Sequence, residues 1–413
     1  MTNVADRHIS LDAIRGVAVM GILAMNIAAF AYPISGYFNP LASGTASSVD
    51  IATWAFNFVL IDSKMRGLFS VLFGASTLLV MERAAASGRS AARSHYARMG
   101  WLFVFGLVHY YLIWFGDILT LYAACGLLLY FFRNLSIRAL LWWALGFLAI
   151  SLMVFVASWA FFALYEAGQL SPELQAELIE DMAEISGDFG AANAAYAQDI
   201  ALMRSDYGAI LADRLGPQGD GPLTQILSFL WETMALMLVG MALFKARMLT
   251  GEWDAARYAK WALRCFLIAV PPLAALVWYQ VQMDYSVAAV FGSSIALSTP
   301  FDIILTIGWA ALIMLAIKSW LSAGAVARLA AAGQMAFTNY LVTSIVMTTI
   351  FYGYGLGLFG QVSRPGLYLF CFGMWAAMLI WSQPWLARCH YGPLEWLWRS
   401  LSRGELQKMR RNN

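Results

Sequence analysis

Long apolar runs separated by short polar segments recur along the whole chain. A membrane-crossing helix needs about 20 mainly apolar residues. Runs of that kind occupy residues 11–31, 64–82, 99–115, 117–132, 139–163, 223–244, 261–281, 302–319, 335–356 and 366–386. The pattern predicts an all-α, polytopic membrane bundle of about ten transmembrane helices. The stretch Val49–Ile61 is apolar but short, and is followed by the polar segment Asp62-Ser-Lys64-Met-Arg66. A run of about 10–14 residues suits a re-entrant or interfacial piece. Two crossings between residues 49 and 82 would turn the loop 83–98, with Arg83, Arg89, Arg93 and Arg98, to the outer side. The positive-inside rule opposes that. One crossing is expected, and the pattern leaves open whether 49–66 forms a hairpin or extends the second helix.

Charge then falls into order. Twenty of the 26 Lys and Arg lie in segments assigned to the inside, Arg204, Arg214 and Arg364 lie outside, and Arg15, Lys64 and Arg66 are embedded. Both termini are expected to be cytoplasmic. Four regions follow: a five-helix half over 1–165, an acidic extracytoplasmic insertion over 166–222, a second five-helix half over 223–386, and a cytoplasmic interfacial helix with a basic tail over 387–413.

The insertion carries eleven Asp and Glu against two Arg. Ser171-Pro172-Glu173 opens a helix well, because Ser caps and Pro suits the first helical position. Leu174, Leu178 and Met182 recur every four residues, and Tyr196, Ile200, Met203, Tyr207 and Ile210 every three or four. Two amphipathic helices are expected, covering either the headgroup plane or the outer mouth of the bundle; an inert acidic spacer is the plainer alternative. Near the C-terminus, Pro393 starts a short helix whose Trp396 and Trp398 suit an inner aromatic belt.

Composition narrows the class. The chain is 61% hydrophobic and 12% charged, with mean hydropathy +0.66, against about 45–50% and about 25% for a soluble domain. Cys125, Cys265, Cys371 and Cys389 are scattered, with no metal spacing, and read as small core residues. The first apolar run reads as a retained helix rather than a cleaved signal. There is no Walker A, GxSxG or HExxH motif, and no His pair spaced for haem or metal. An ATP-driven pump is excluded, no metal is expected, and no nucleic-acid partner is expected.

Ionisable groups inside a bilayer are costly and tend to be functional. His109 lies about two turns below the outer end of the third span, and Asp117 begins the fourth. A carboxylate beside an imidazole orients it and raises its pKa, as a general base needs; a His–Asp bond stapling two helices is the bland reading. Asp12 and Arg15 sit at i, i+3 and pair, either as a headgroup anchor or as a site for a cytoplasmic phosphate. Asn26 lies on the same helix face, deeper. Asp62, Lys64 and Arg66 cluster at the outer end of the second span, and Glu232 is expected to pair with Lys64 or Arg66. Asn339 belongs to a polar face of the ninth span that interhelical hydrogen bonds alone could explain. Arg15, Asn26, His109 and Glu232 are expected to border one shared cavity.

Several segments resemble the YeiB-like bacterial membrane proteins, a family catalogued as a domain of unknown function. They are Ser10-Leu-Asp12-Ala-Ile-Arg15-Gly16 leading to Asn26, Leu68-Phe-Ser-Val-Leu-Phe-Gly74, His109 with Gly116-Asp117-Ile-Leu-Thr-Leu-Tyr122, Gly333-Gln-Met-Ala-Phe-Thr-Asn339-Tyr340, and Gly392-Pro-Leu-Glu395-Trp396-Leu-Trp398-Arg399. The opening Leu-Asp-x-x-Arg-Gly is similar to that of heparan-α-glucosaminide N-acetyltransferase and other transmembrane acyltransferases. The resemblance implies acyl transfer from coenzyme A, using a histidine after the first helix in the acetyltransferase. Residues 31–40 contain no histidine here, so His109 would have to take that role.

Two functions are therefore weighed. One is an inner-membrane acyltransferase: Arg15 and the basic loops hold a cytoplasmic acyl-coenzyme A, and His109 with Asp117 activates a hydroxyl or amine arriving from outside. Asp12, Asn26, Asp62, Lys64, Arg66, Glu232 and Asn339 then line the substrate path. The other is a transporter or lipid-binding protein with no covalent chemistry, a small molecule or lipid being the ligand either way; a lipid-embedded scaffold is the blandest option, and self-association is left open.

Overall fold

A computed structural model describes residues 4–190 and 194–411. Nineteen α-helices follow one another among the described residues: α1 (Val4–Ala31), α2 (Ile34–Phe38), α3 (Ser48–Leu60), α4 (Lys64–Ala86), α5 (Ala91–Leu112), α6 (Leu119–Leu129), α7 (Ile137–Glu166), α8 (Pro172–Glu177), α9 (Ile179–Phe189), α10 (Ala194–Met203), α11 (Tyr207–Leu215), α12 (Gly221–Lys245), α13 (Ala255–Gln282), α14 (Val287–Phe291), α15 (Thr299–Ser319), α16 (Ala323–Gln334), α17 (Ala336–Phe351), α18 (Arg364–Arg388) and α19 (Pro393–Arg403). No β-strand occurs among the described residues, only an isolated bridge between Cys389 and Arg410.

Seven helical segments there are long and apolar enough to cross a membrane: Ile9–Ala31, Ser48–Ala86, Ile137–Glu166, Gly221–Lys245, Ala255–Gln282, Thr299–Ser319 and Arg364–Arg388. Each of the ten expected runs falls on a helix. Those at 117–132 and 335–356 coincide with the shorter apolar helices Leu119–Phe132 and Ala336–Phe351, and that at 99–115 with α5, whose first turns carry Arg93 and Arg98. Residues 49–66 are divided: α3 ends at Leu60, Ser63 adopts φ 57°, and α4 starts at Lys64. Two further helices carry no clear signal in the pattern. One is α16, short and alanine-rich. The other is α14, which runs into a π-helical turn at Gly292–Leu297. Irregular backbone at membrane depth is tolerated where it lines a cavity, and Ser294 and Ile295 of this turn do so.

Two helix pairs are brought together by glycine. A Cβ on Gly16 of α1 would lie 2.1 Å from the Leu329 carbonyl oxygen, and one on Gly333 would lie 1.8 Å from that of Asp12. Across α4 and α12, Gly74 faces the Met237 carbonyl and Gly240 that of Val71, each closer than any Cβ allows. In a bilayer, where apolar faces gain little from avoiding water, such close backbone packing is a main source of helix association. Both crossings join the early part of the chain to the late part, so one buried core includes Ile14, Leu72, Met237, Met314 and Met378 alike.

The insertion forms four short helices, α8–α11, rather than two. Ser171 caps α8 by accepting from the Leu174 N–H, with Pro172 in its first turn. Of the two expected resting places, the structure has the segment on the bundle: Met182 and Ile210 are buried, and Phe189 packs on Phe38 and Phe291. The Gly353 N–H donates to Met203 O at 2.9 Å, Arg204 Nε to Phe359 O at 2.8 Å, and the Tyr110 and Tyr111 hydroxyls to Gln218 O and Gly219 O. The helix α19 is not simply an anchor. Trp398 donates to Arg98 O at 2.9 Å, and Trp396 to Gln407 O.

Candidate functional site: two cavities separated by a histidine–aspartate pair

Among the described residues, two cavities lie within the bundle, one towards each end, and a third of about 230 Å³ lies beside Asp50 and Arg364. The basic-end cavity has a volume of about 460 Å³, within the range of small-molecule sites. Its floor is apolar, with Leu72, Phe73, Met99, Leu102 and Phe337. Four guanidinium groups, Arg15, Arg83, Arg98 and Arg399, line it against two carboxylates, Asp12 and Glu395. Arg15 donates to Asp12 Oδ1 and to Ser76 Oγ, both at 2.7 Å. Arg98 lies 4.0 Å from the centre of the Trp398 ring, and Arg399 4.5 Å from that of Tyr391, so rings hold these cations where few carboxylates do. Glu395 caps α17: Oε1 accepts from the Phe337 and Thr338 N–H groups at 2.8 and 3.0 Å, and Oε2 from Thr338 Oγ1 at 2.6 Å. Burial pushes the Glu395 carboxyl above its ordinary pKa, and these donors oppose the rise without cancelling it.

The second cavity, towards the insertion, measures about 270 Å³. Asn26, Asp62, Arg66, Asp117 and Glu232 all line it. Arg66 Nη2 donates to both oxygens of Glu232, at 2.9 and 3.0 Å, while the buried Nη1 has no hydrogen-bond partner among the described residues. Asp62 accepts from the Tyr37 hydroxyl and from the Ser63 N–H. Aromatic walls come from Tyr37, Trp114, Phe115 and Phe229.

Between the two sits His109, fully buried. Its Nδ1 is 2.8 Å from Asp117 Oδ1. Asp117 Oδ2 accepts from Thr120 N and Thr120 Oγ1, both at 2.8 Å, and its carbonyl accepts from Gln225. This arrangement fits an imidazole whose Nδ1–H donates to Oδ1. The buried Nε2 is then the lone-pair nitrogen, and no described group bonds to it. The rings of Tyr340 and Trp114 lie 5.1 and 6.3 Å from the imidazole. Tyr340 lines the basic-end cavity, and Trp114 and Asp117 line the other. The same division runs down α6, where Leu119 and Tyr122 face one cavity and Ile118 and Leu121 the other.

The expectation of one shared cavity is therefore corrected. Arg15 and Asp12 line one chamber, Asn26 and Glu232 the other, and His109 lies in the partition. The physical reason is the filling of the middle by Trp114, Tyr122 and Tyr340, all buried. Two further candidates lie in neither chamber wall. Lys64 is buried against Asp302 at 2.7 Å. Asn339 bonds Ala332 O, Ser382 Oγ and Trp381 Nε1, joining α16, α17 and α18. Of the two partners considered for Glu232, Arg66 is the one found. The chamber walls also include Ser76, Gln225 and Ser294; single neutral polar residues in apolar runs give no sequence signal that separates them from interhelical bonds. Among the described residues, no group of three or more His, Cys, Asp or Glu side chains could hold a metal ion.

Comparison with known proteins gives the family of the chain. The model for "Protein of unknown function (DUF418)" matches residues 243–405. The uncharacterized protein YeiB of Escherichia coli (strain K12) is 30% identical over 405 residues, covering 96% of each chain. The chain belongs to the YeiB-like family. The uncharacterized protein YxaH of Bacillus subtilis (strain 168) is likewise 30% identical, over 94% of this chain and 92% of its own. An uncharacterized 39.9 kDa protein from the amylase 3′ region of Bacillus acidopullulyticus is 23% identical over 95% and 93%. No solved structure matches.

Proposed function

We propose that this chain is an acyltransferase of the bacterial inner membrane, with about ten crossings and its basic end in the cytoplasm. The observation that carries the reading is the buried His109 Nε2, unpartnered, with its other nitrogen fixed by Asp117, in the partition between a basic chamber and a mixed-charge chamber. Arg15, Arg98 and Arg399 suit the phosphates of an acyl-coenzyme A substrate, and the apolar floor suits its acyl chain. Asn26, Asp62, Arg66 and Glu232 suit a polar acceptor carrying a hydroxyl or amine. His109 Nε2 takes the acceptor proton as the acceptor oxygen or nitrogen attacks the thioester carbonyl. The C–S bond breaks, and the imidazolium returns the proton to the leaving thiolate. Asp117 holds the tautomer and stabilises the imidazolium throughout. Lys64 and Asn339 position helices.

The test is thiol release from acetyl- and palmitoyl-coenzyme A by protein in lipid nanodiscs, with glycerol and glucosamine as trial acceptors. General-base catalysis is worth about 10²–10⁴-fold. Release lowered by about that factor in His109→Ala supports the reading, and equal release in both proteins overturns it.

The closed partition between oppositely placed chambers also suits a transporter alternating its access, the second reading. A substrate-dependent change in which chamber is open would favour it.

A further inference from the structure

The structure assigns a second, separate site: a buried cluster of donors, Arg214, Tyr352 and Trp114, suited to a small carboxylate. Two of the described Lys and Arg residues are fully buried, Lys64 and Arg214, each 1% exposed. Lys64 has the Asp302 carboxylate at 2.7 Å. Arg214 has no carboxylate so placed among the described residues: Nε, Nη1 and Nη2 are all buried, and the neutral Tyr352 hydroxyl is the acceptor beside them, short of full hydrogen-bond geometry. The neighbouring Asp213 carboxylate acts on it only at longer range.

Two other donors are left in the same condition beside it. The guanidinium carbon lies 5.8 Å from the centre of the Tyr352 ring. The buried Tyr352 hydroxyl is the acceptor that both Arg214 and the Trp114 indole approach, but none of these contacts has full hydrogen-bond geometry. A guanidinium, a phenol and an indole N–H thus gather with no acceptor among them except the phenol oxygen. Burying one unpaired cation is costly, and gathering further donors around it adds to the cost. A ligand supplying negative charge and acceptor lone pairs removes both penalties. The planar guanidinium fork matches the two oxygens of a carboxylate, with Tyr352 and Trp114 left to donate to the remaining lone pairs.

The location gives the cluster a role. Arg214 belongs to α11 of the insertion, Tyr352 ends α17, and Trp114 lines the mixed-charge chamber and stacks on Phe30 of α1 at 3.9 Å. An anion here fastens the insertion to the bundle at the chamber wall. The site stands whether or not His109 transfers an acyl group.

The experiment is thermal unfolding of the full chain in detergent, titrated with sodium formate or, in a separate arm, sodium chloride at equal ionic strength. Saturable stabilisation by formate exceeding that by chloride is expected, with apparent affinity at least tenfold weaker in Arg214→Met. Tyr352→Phe, which keeps the ring and removes one donor, should weaken it less, and it keeps the test decisive where Arg214→Met fails to fold. Absence of a formate response in the wild-type chain, or a response unchanged in the variants, overturns the site. Saturable stabilisation by chloride alone, lost on substitution, overturns the carboxylate assignment in favour of a halide.

Discussion

Lys64 and Arg66 are two residues apart on α4 yet turn to different carboxylates, Asp302 and Glu232. Removing one member of a buried pair strands the other, at a cost of about 3–5 kcal/mol. Glu232→Ala is therefore expected to destabilise by about that amount, because it leaves Arg66 with neither Nη1 nor Nη2 bonded. The double variant Glu232→Leu/Arg66→Met should recover most of the loss. Denaturant unfolding in detergent micelles measures both, and a single-variant cost below about 1 kcal/mol, the level of an exposed pair, would refute the coupling. Asp117→Asn makes a different prediction. It preserves size and the ability to accept from Thr120, but no longer favours the Nδ1–H tautomer of His109. Thiol release should fall steeply while the melting temperature moves by only a few degrees. The pairs were unequally legible. Asp12–Arg15 follows from helical spacing alone, and His109–Asp117 from the short turn between two apolar runs. Lys64–Asp302 joins residues 238 positions apart in a packing arrangement that no local pattern encodes.

At the level of elements, the ten apolar runs reported helices faithfully because length and hydropathy are properties of one segment. The helices missed are those whose burial comes from neighbours. The alanine-rich α16 gives no long apolar run of its own, yet it crosses α1 at the Gly16–Gly333 contact. Gly16→Ala and Gly333→Ala should each push the two backbones apart and destabilise by about 1–3 kcal/mol, the range for overpacking. Gly100→Ala on α5, where a Cβ meets nothing within 4 Å, is the matched control and should not destabilise. A thermal melt that fails to separate the three variants would contradict the crossing. The same logic applies to α19. Its aromatic content suggested a membrane belt, but Glu395 latches it to the first turn of α17. Glu395→Ala should release both Phe337 and Thr338 amides, and hydrogen exchange there should rise well above that of the α17 interior.

For the whole molecule, the decisive property is the partition. The two chambers share no lining residue, so a bulky solute has no open path between them in this conformation, whereas the proposed proton transfer needs only that donor and acceptor both reach His109 Nε2. Which chamber opens to which side is testable because Cys125, Cys265, Cys371 and Cys389 are all buried, giving a low labelling background. Ser76→Cys places a thiol in the basic chamber, and Ser294→Cys one in the other. With a membrane-impermeant maleimide, Ser76→Cys should react only in inside-out vesicles and Ser294→Cys only in intact cells. Reaction of both from one side would break the assignment of opposite faces. Added acyl-coenzyme A should protect Ser76→Cys, whose neighbour Arg15 bonds the native hydroxyl, and leave Ser294→Cys unchanged. If a solute instead switches either thiol to the opposite side, the partition moves during the cycle. The buried Nε2 would then belong to a gate, since a fixed catalytic base needs no such movement.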